Sequence, residues 1–86
     1  MTEGKWTVYI LRCGDGTLYT GIASDVQRRL QEHRSGKGAK YTRGRGPLEV
    51  VYTENCDTKS DALKREAAIK ALKREEKEKL VGRESL

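Results

Sequence analysis

The stretch that decides the fold is residues 6–22, which read WTVYILRCGDGTLYTGI. Its two ends, 6–12 and 17–22, are rich in β-branched and aromatic residues, which favour extended strands. Between them, the segment Gly14-Asp15-Gly16 has the composition of a tight turn. The stretch therefore predicts a β-hairpin of two antiparallel strands.

The length of this turn decides whether Tyr9 and Tyr19 share a face of the hairpin. A two-residue loop would place the two rings on opposite faces, because side chains alternate along a strand. A three-residue loop, 14–16, pairs residue 9 with Gly21 and residue 11 with Tyr19, so both rings share a face and Gly21 leaves space beside Tyr9. The flanking glycines permit this loop. Each tyrosine taken alone is also explained as an ordinary half-buried strand residue.

A helix is predicted directly after the hairpin, over residues 25–35. Ser24 and Gln27 form a capping-box pattern at its start, and Gly36 follows its last periodic position.

The remaining pattern predicts a loop, a third strand and a helical end. The loop, 36–47, contains four glycines, and the segment 48–53 is rich in strand-forming residues. A helix is predicted from about residue 60 to 72, and further helix to Val81 closed by Gly82. Periodicity leaves open whether these are one helix or two. The fold class is α/β (α+β), with the element order β-β-α-β-α-α.

Length and composition limit the possible architectures. With 86 residues the chain is expected to be a single domain over 1–86, with an ordered core over about 5–82. Only 35% of the residues are hydrophobic and none is Phe, so the core is thin and a large internal cavity is disfavoured. We expect no membrane segment and no secretion signal. Two separated cysteines without a C-x-x-C pair indicate reduced thiols in a cytoplasmic protein.

The positive charge is concentrated in one segment. The chain has a net charge of +5, and residues 28–46 hold seven bases and one acid. Such a segment favours a polyanionic partner. Tyr41 within it could stack on an unpaired base, and glycine backbone could approach a phosphate closely. A solvated loop is the alternative explanation. The candidate nucleic-acid contacts are Gly21, Arg28, Lys37, Lys40, Tyr41, Arg43 and Arg45.

Three side chains on the predicted helices carry candidate chemistry. Arg29 and His33 lie one turn apart beside the apolar stripe and should point at the sheet, where an arginine needs an anion, either a carboxylate or a phosphate. Glu66 projects from an apolar stripe of the later helix. The alternatives are an arginine whose head reaches water, a histidine bonded to a backbone carbonyl, and an ordinary ion pair of Glu66 with Lys70.

These residues, taken together, resemble the GIY-YIG nuclease (URI) domain. The resemblance rests on the ordered set Thr7-Val-Tyr9, Tyr19-Thr-Gly21, Arg29, His33 and Glu66, and it covers about Trp6 to Val81. The basic loop and the segment 47–52 are similar to those of the small stand-alone bacterial members. Thr7, Val8 and Thr20 stand where the family has Gly, Ile and Ile. Several members have an active-site Asn near the end of the domain, and this chain has none after Val81.

The resemblance implies a three-stranded antiparallel sheet flanked by helices, and an endonuclease that hydrolyses phosphodiester bonds with one divalent cation, Mg²⁺ or Mn²⁺. It implies that Tyr9 is the candidate base and that Tyr19 belongs to the second half-motif. Arg29 then faces the phosphate, His33 supports the site, and Glu66 is the metal ligand.

The expected partner is nucleic acid, DNA rather than RNA, in structure-selective DNA repair or recombination. With no appended recognition domain, specificity comes from nucleic-acid shape or from a protein partner, and we expect a monomer. The main alternative is a noncatalytic DNA- or RNA-binding module with the same fold. A third is a scaffold that contacts another protein through its mixed-charge C-terminal helix.

Overall fold

The computed structural model describes residues 5–38 and 40–84 and contains the predicted elements in the predicted order. Two separate helices form at the C-terminal end, which settles the question that periodicity left open. The fold class is confirmed. The elements are β1 (Trp6–Arg12), β2 (Leu18–Ala23), α1 (Val26–Arg34), a 3₁₀ turn (Lys40–Thr42), β3 (Glu49–Cys56), α2 (Lys59–Lys70) and α3 (Arg74–Glu84).

The three strands form one antiparallel sheet with the order β2-β1-β3. The three-residue turn is confirmed, because Tyr9 lies opposite Gly21 and Leu11 opposite Tyr19. Gly16 supplies the left-handed position of the turn with φ of 87°. β3 runs beyond the predicted end, since its last residues pair with the start of β1 as far as Trp6 opposite Cys56.

The sheet separates two small hydrophobic clusters. Tyr9 and Leu11 pack on one face with Leu30 of α1. Val8 and Ile10 pack on the other face, with apolar residues of α2 and α3 such as Ile69. Alternation along β1 thus supplies both clusters, and it places the tyrosines on the face that α1 covers. Within the described ranges, no helix is long and apolar enough to span a membrane.

Two predicted helix boundaries are wrong. The N-cap of α1 is Asp25 rather than Ser24, because the Asp25 carboxylate accepts a hydrogen bond from the Arg28 backbone N–H at 3.1 Å. Gly82 does not close the last helix, which continues to Glu84. Val81 is buried against the sheet, and this packing outweighs the helix-propensity cost of a neighbouring glycine, about 1 kcal/mol.

An ion-pair network joins α3 to the hairpin. Arg12 donates to both carboxylate oxygens of Glu78, at 3.3 and 2.9 Å. Arg74 also donates to Glu78 and, at 2.7 Å, to the carbonyl of Gly16. Hydrogen bonds from Arg12 and then Arg74 lower the pKa of Glu78 to about 2. The mixed-charge helix is therefore held against the turn whose length sets the register of the tyrosines.

Candidate active site

Three aromatic rings meet on the face of the sheet that α1 covers. The ring centroids of Tyr9 and Tyr19 lie 6.4 Å apart, and the His33 ring lies edge-on to them at 6.0 and 5.4 Å. The Tyr9 hydroxyl lies 2.8 Å from His33 Nε2 in a buried hydrogen bond. The hairpin and α1 therefore bring together three of the predicted site residues.

Gly21 makes this arrangement possible. A Cβ atom at residue 21 would lie 2.7 Å from the Tyr9 hydroxyl and 3.1 Å from Tyr19 Cε2. The missing side chain of Gly21 leaves the predicted space, and the Tyr9 ring fills this space. Gly21 is buried and lies beneath the rings of Tyr9 and Tyr19.

The basic loop supplies a second partner for His33. His33 Nδ1 lies 3.0 Å from the Thr42 hydroxyl, and both residues are buried. The Gly38 backbone packs so closely that a Cβ there would collide with His33 Nδ1. Sequence reasoning missed both Thr42 and Gly38, since the only available signal was a small residue in a glycine-rich loop.

His33 is a neutral imidazole in this environment. Burial, followed by the charge of Arg29, lowers the pKa of His33 below its ordinary value. A neutral ring carries one N–H. We assign it to Nδ1, because the Tyr9 oxygen accepts a hydrogen bond from Arg29 and the Tyr9 O–H then has Nε2 as its acceptor, while Nδ1–H donates to Thr42. Tyr9, His33 and Thr42 thus form one hydrogen-bonded chain.

Arg29 acts on the Tyr9 phenol and pairs with an anion of its own helix, and its side chain is 36% exposed. Its Nη1 donates to Glu32 Oε1 at 2.7 Å, and its hydrogen bond to Tyr9 acts to lower the pKa of that phenol. The anion is thus a protein carboxylate, one of the two kinds left open. Sequence reasoning missed Glu32, although the i,i+3 spacing from Arg29 was a usable signal.

Glu66 approaches the same phenol from α2. Its side chain is 18% exposed, and it pairs with Lys70 at 3.4 Å, so the ordinary ion pair does form. The carboxylate is nevertheless much less exposed than its partner, and its charge acts to raise the pKa of Tyr9. The structure therefore brings Glu66 within electrostatic reach of Tyr9.

Residues 5–79 match the family model described as the GIY-YIG catalytic domain. The chain belongs to the GIY-YIG family. Domains of this family are associated with endonucleases. The match extends from the residue before β1 into α3, so it includes every element that positions the site.

Small stand-alone GIY-YIG proteins are similar to this chain over nearly its whole length. A UPF0213 protein from Natronomonas pharaonis is 56% identical over 78 residues, covering 91% of this chain and 92% of that protein. The solution NMR structure of a UPF0213 protein from Bacillus halodurans is 51% identical with a TM-score of 0.59, covering 91% of this chain and 83% of that one. An E. faecalis protein solved by the same method is 44% identical with a TM-score of 0.63 and the same coverage.

Burial is the main cause of the altered pKa of Tyr9, which is 1% exposed. Desolvation, and secondarily Tyr19, raises the pKa of Tyr9 to about 12, while the hydrogen bond and charge of Arg29 act in the opposite direction. The phenol is therefore protonated at neutral pH. Any role as a base requires a proton acceptor, and the nearest one in the hydrogen-bonded chain is His33 Nε2.

The carboxylate of Glu66 is the metal-binding group that the family pattern implies. Among residues 5–38 and 40–84, no group of three or more His, Cys, Asp or Glu side chains could hold a metal ion. A single carboxylate still suits Mg²⁺, which often keeps several waters and uses one or two carboxylates together with substrate phosphates. The donor chemistry at Glu66 is therefore compatible with one such ion, which would compete with Lys70.

The basic loop is docked on the hairpin. Tyr41 stacks on Tyr19 with centroids 5.7 Å apart, and the Arg45 guanidinium lies over the Tyr41 ring at 4.4 Å and pairs with Asp15. Arg43 donates to the carbonyl of Gly36. Of the residues predicted to contact nucleic acid, Gly21 is buried. Partners within the protein are found for Tyr41, Arg43 and Arg45, and also for Arg28, which lies 3.8 Å from Glu32. The side chains of Arg28, Lys37 and Lys40 are exposed.

We predict that Gly21→Ala lowers the stability of the protein. The new methyl group must displace the Tyr9 and Tyr19 rings, and overpacking of this kind costs about 1–3 kcal/mol. The matched control is Gly82→Ala, where nothing lies within 4 Å of the added Cβ and a helical glycine is replaced. That change should stabilise the protein by about 0.5–1 kcal/mol. Urea unfolding of both variants checks this, and equal free energies of unfolding would contradict it.

Proposed function

We propose that the protein is a metal-dependent endonuclease that hydrolyses phosphodiester bonds in DNA. The observation that supports this is that several predicted site residues act on one side chain, the Tyr9 phenol. Tyr9 is hydrogen-bonded to His33 at 2.8 Å, and its acidity responds to Tyr19, Arg29 and Glu66. Hydrolysis needs positive charge at a phosphate and a proton acceptor for water, and this set of residues contains both.

Arg29 is assigned to the phosphate. Its side chain is 36% exposed and is held by Glu32 at 2.7 Å, so the guanidinium is fixed and reaches solvent. A guanidinium has donors for more than one anion, and it can hold a phosphate oxygen beside Glu32. A fixed positive charge at this position would stabilise the negative charge that develops on the phosphate in the transition state.

Tyr9 and His33 are assigned to water activation as a pair. With a pKa of about 12, Tyr9 alone would be deprotonated in only about one molecule in 10⁵ at pH 7. A relay avoids this cost, because Tyr9 accepts the proton of the attacking water while passing its own proton to His33 Nε2. Thr42, which accepts from Nδ1–H, then orients the imidazole.

Glu66 is the residue that would hold the cation. When bound, a divalent ion supplies Lewis-acid polarisation of the phosphate and neutralises negative charge. Glu66 has Lys70 as its partner in this structure, so we expect the lysine to turn towards solvent on metal binding.

The proposed setting is DNA repair or recombination in the cytoplasm, with Mg²⁺ or Mn²⁺ as cofactor and a monomeric enzyme that prefers DNA to RNA. The nucleic-acid partner is supported by the exposed bases Arg28, Lys37 and Lys40. Selectivity for DNA structure, alone or with a protein partner, is part of this proposal, because the exposed bases among the described residues form a small basic surface.

A noncatalytic DNA- or RNA-binding module is the second candidate. Two observations favour it: burial raises the pKa of Tyr9, and Glu66 is paired with Lys70. The basic loop would give the module its affinity for phosphates without any chemistry.

We predict that Glu66→Ala and Arg29→Ala each lower cleavage by about 10²–10³-fold, because each removes charge stabilisation from the transition state. The assay uses branched, flapped and plasmid DNA with Mg²⁺ or Mn²⁺, and anisotropy checks that Glu66→Ala still binds DNA. The matched control, Lys79→Ala, alters an exposed base of α3 and should cleave like the wild type. Unchanged cleavage in both site variants would indicate a contaminating nuclease. Binding without cleavage on every substrate would favour the module.

We predict that kcat/KM does not vary with pH above the pKa of His33. The relay needs neutral His33, and burial keeps its pKa below about 6.5. Therefore kcat/KM should rise through that pKa and stay level to about pH 9. In His33→Gln, which cannot take the proton, the rate should fall by about 10²–10⁴-fold. It should then rise about tenfold per pH unit, because Tyr9 must ionise unaided. A wild-type rate that climbs steadily from pH 7 to 9 would contradict the relay.

A further inference from the structure

A groove of about 320 Å³ lies directly beside Arg29, and the predicted site does not include most of it. It forms where β1 begins, β2 ends and α1 begins. Its volume is at the small end of the range of about 300–1,000 Å³ typical of ligand pockets. The residues that define its chemistry are Trp6, Ile22, Asp25, Arg28, Arg29 and Glu32.

The groove combines an aromatic surface with positive charge. Trp6 is half-buried, and the Lys59 ammonium lies 5.1 Å from the centroid of its ring. The side chain of Arg28 is 79% exposed. Arg28 and Arg29 thus line the groove with two cations, and Lys59 lies on the Trp6 ring. Cations and an indole together suit a ligand with a flat ring and an anionic group.

The two acids of the groove are already engaged. Asp25 accepts the Arg28 backbone N–H as the N-cap of α1. Glu32 accepts from Arg29 at 2.7 Å and lies 3.8 Å from Arg28. Their negative charge is therefore directed to groups within the protein. The Arg28 guanidinium shares Glu32 with Arg29, but its side chain is 79% exposed, and its remaining N–H donors can meet an outside anion.

We propose that this groove binds the nucleotide that flanks the phosphate held by Arg29, with Trp6 against its base and Arg28 on its own phosphate. The assignment rests on the proposed function, since Arg29 is the residue common to both sites. It extends the nucleic-acid surface to the end of the sheet near Trp6 and Lys59, neither of which the sequence pattern singled out.

Tryptophan fluorescence tests this directly, because Trp6 is the only tryptophan of the chain. The full chain is titrated with an unlabelled oligonucleotide in EDTA at low salt, so no cleavage occurs. Binding is followed in parallel by anisotropy of a labelled copy of the same oligonucleotide. We expect Trp6 emission to change and acrylamide quenching to fall, both saturating at the oligonucleotide concentration at which anisotropy saturates.

Two variants and one control sharpen the result. Trp6→Leu should weaken binding on the order of tenfold, as expected for loss of one base–aromatic contact. Arg28→Ala should weaken binding at low salt more than at high salt, and Lys79→Ala should bind like the wild type. Because Trp6→Leu also alters packing, the fluorescence of the unmodified protein remains the deciding measurement.

The outcomes separate this proposal from the proposed function. Saturable anisotropy with unchanged Trp6 emission and quenching would overturn the groove assignment while leaving nucleic-acid binding intact. No anisotropy change at low salt would overturn both. A Trp6 response that tracks anisotropy in the wild type supports the groove even if the protein cleaves no substrate.

Discussion

The structure of the site depends on one buried hydrogen bond, between the Tyr9 hydroxyl and His33 Nε2 at 2.8 Å. It joins the central strand to α1, and leaving either group unpaired in this interior would cost about 1–3 kcal/mol. The Tyr9 ring needs the open space over Gly21, and the three-residue turn is what places Gly21 opposite Tyr9. A shift of one residue would move Tyr19 and Gly21 to the other face of the sheet. The turn length thus decides the contents of the site.

The same bond links the candidate site to the basic loop. His33 contacts Thr42, and Tyr19 carries the Tyr41 ring, so the loop rests on the same aromatic cluster that Tyr9 belongs to. A thin core on each face of the sheet gives little packing to hold a glycine-rich loop. These side-chain contacts, together with the ion pair of Arg45 with Asp15, fix it in place. The basic loop and the aromatic cluster are therefore parts of one connected structure.

Local rules predicted the parts that local forces determine. Turn composition and side-chain alternation gave the register of Tyr9 and Tyr19, and helical spacing put Arg29 and His33 towards the sheet. The same rules failed at Ser24, because the neighbouring residue, Asp25, is the N-cap of α1. The contacts of Thr42 and Tyr41 were beyond sequence reasoning, because they depend on the path of a twelve-residue loop, which periodicity does not describe.

The most direct test of this account is an NMR titration of His33, which is the only histidine of the chain. We predict that the pKa of His33 lies below the ordinary value of about 6.5, because the ring is buried beside Arg29. We also predict that Tyr9→Phe moves this pKa upwards, since the phenol donates to the neutral ring. A histidine pKa at or above the ordinary value that does not respond to Tyr9→Phe would contradict the account.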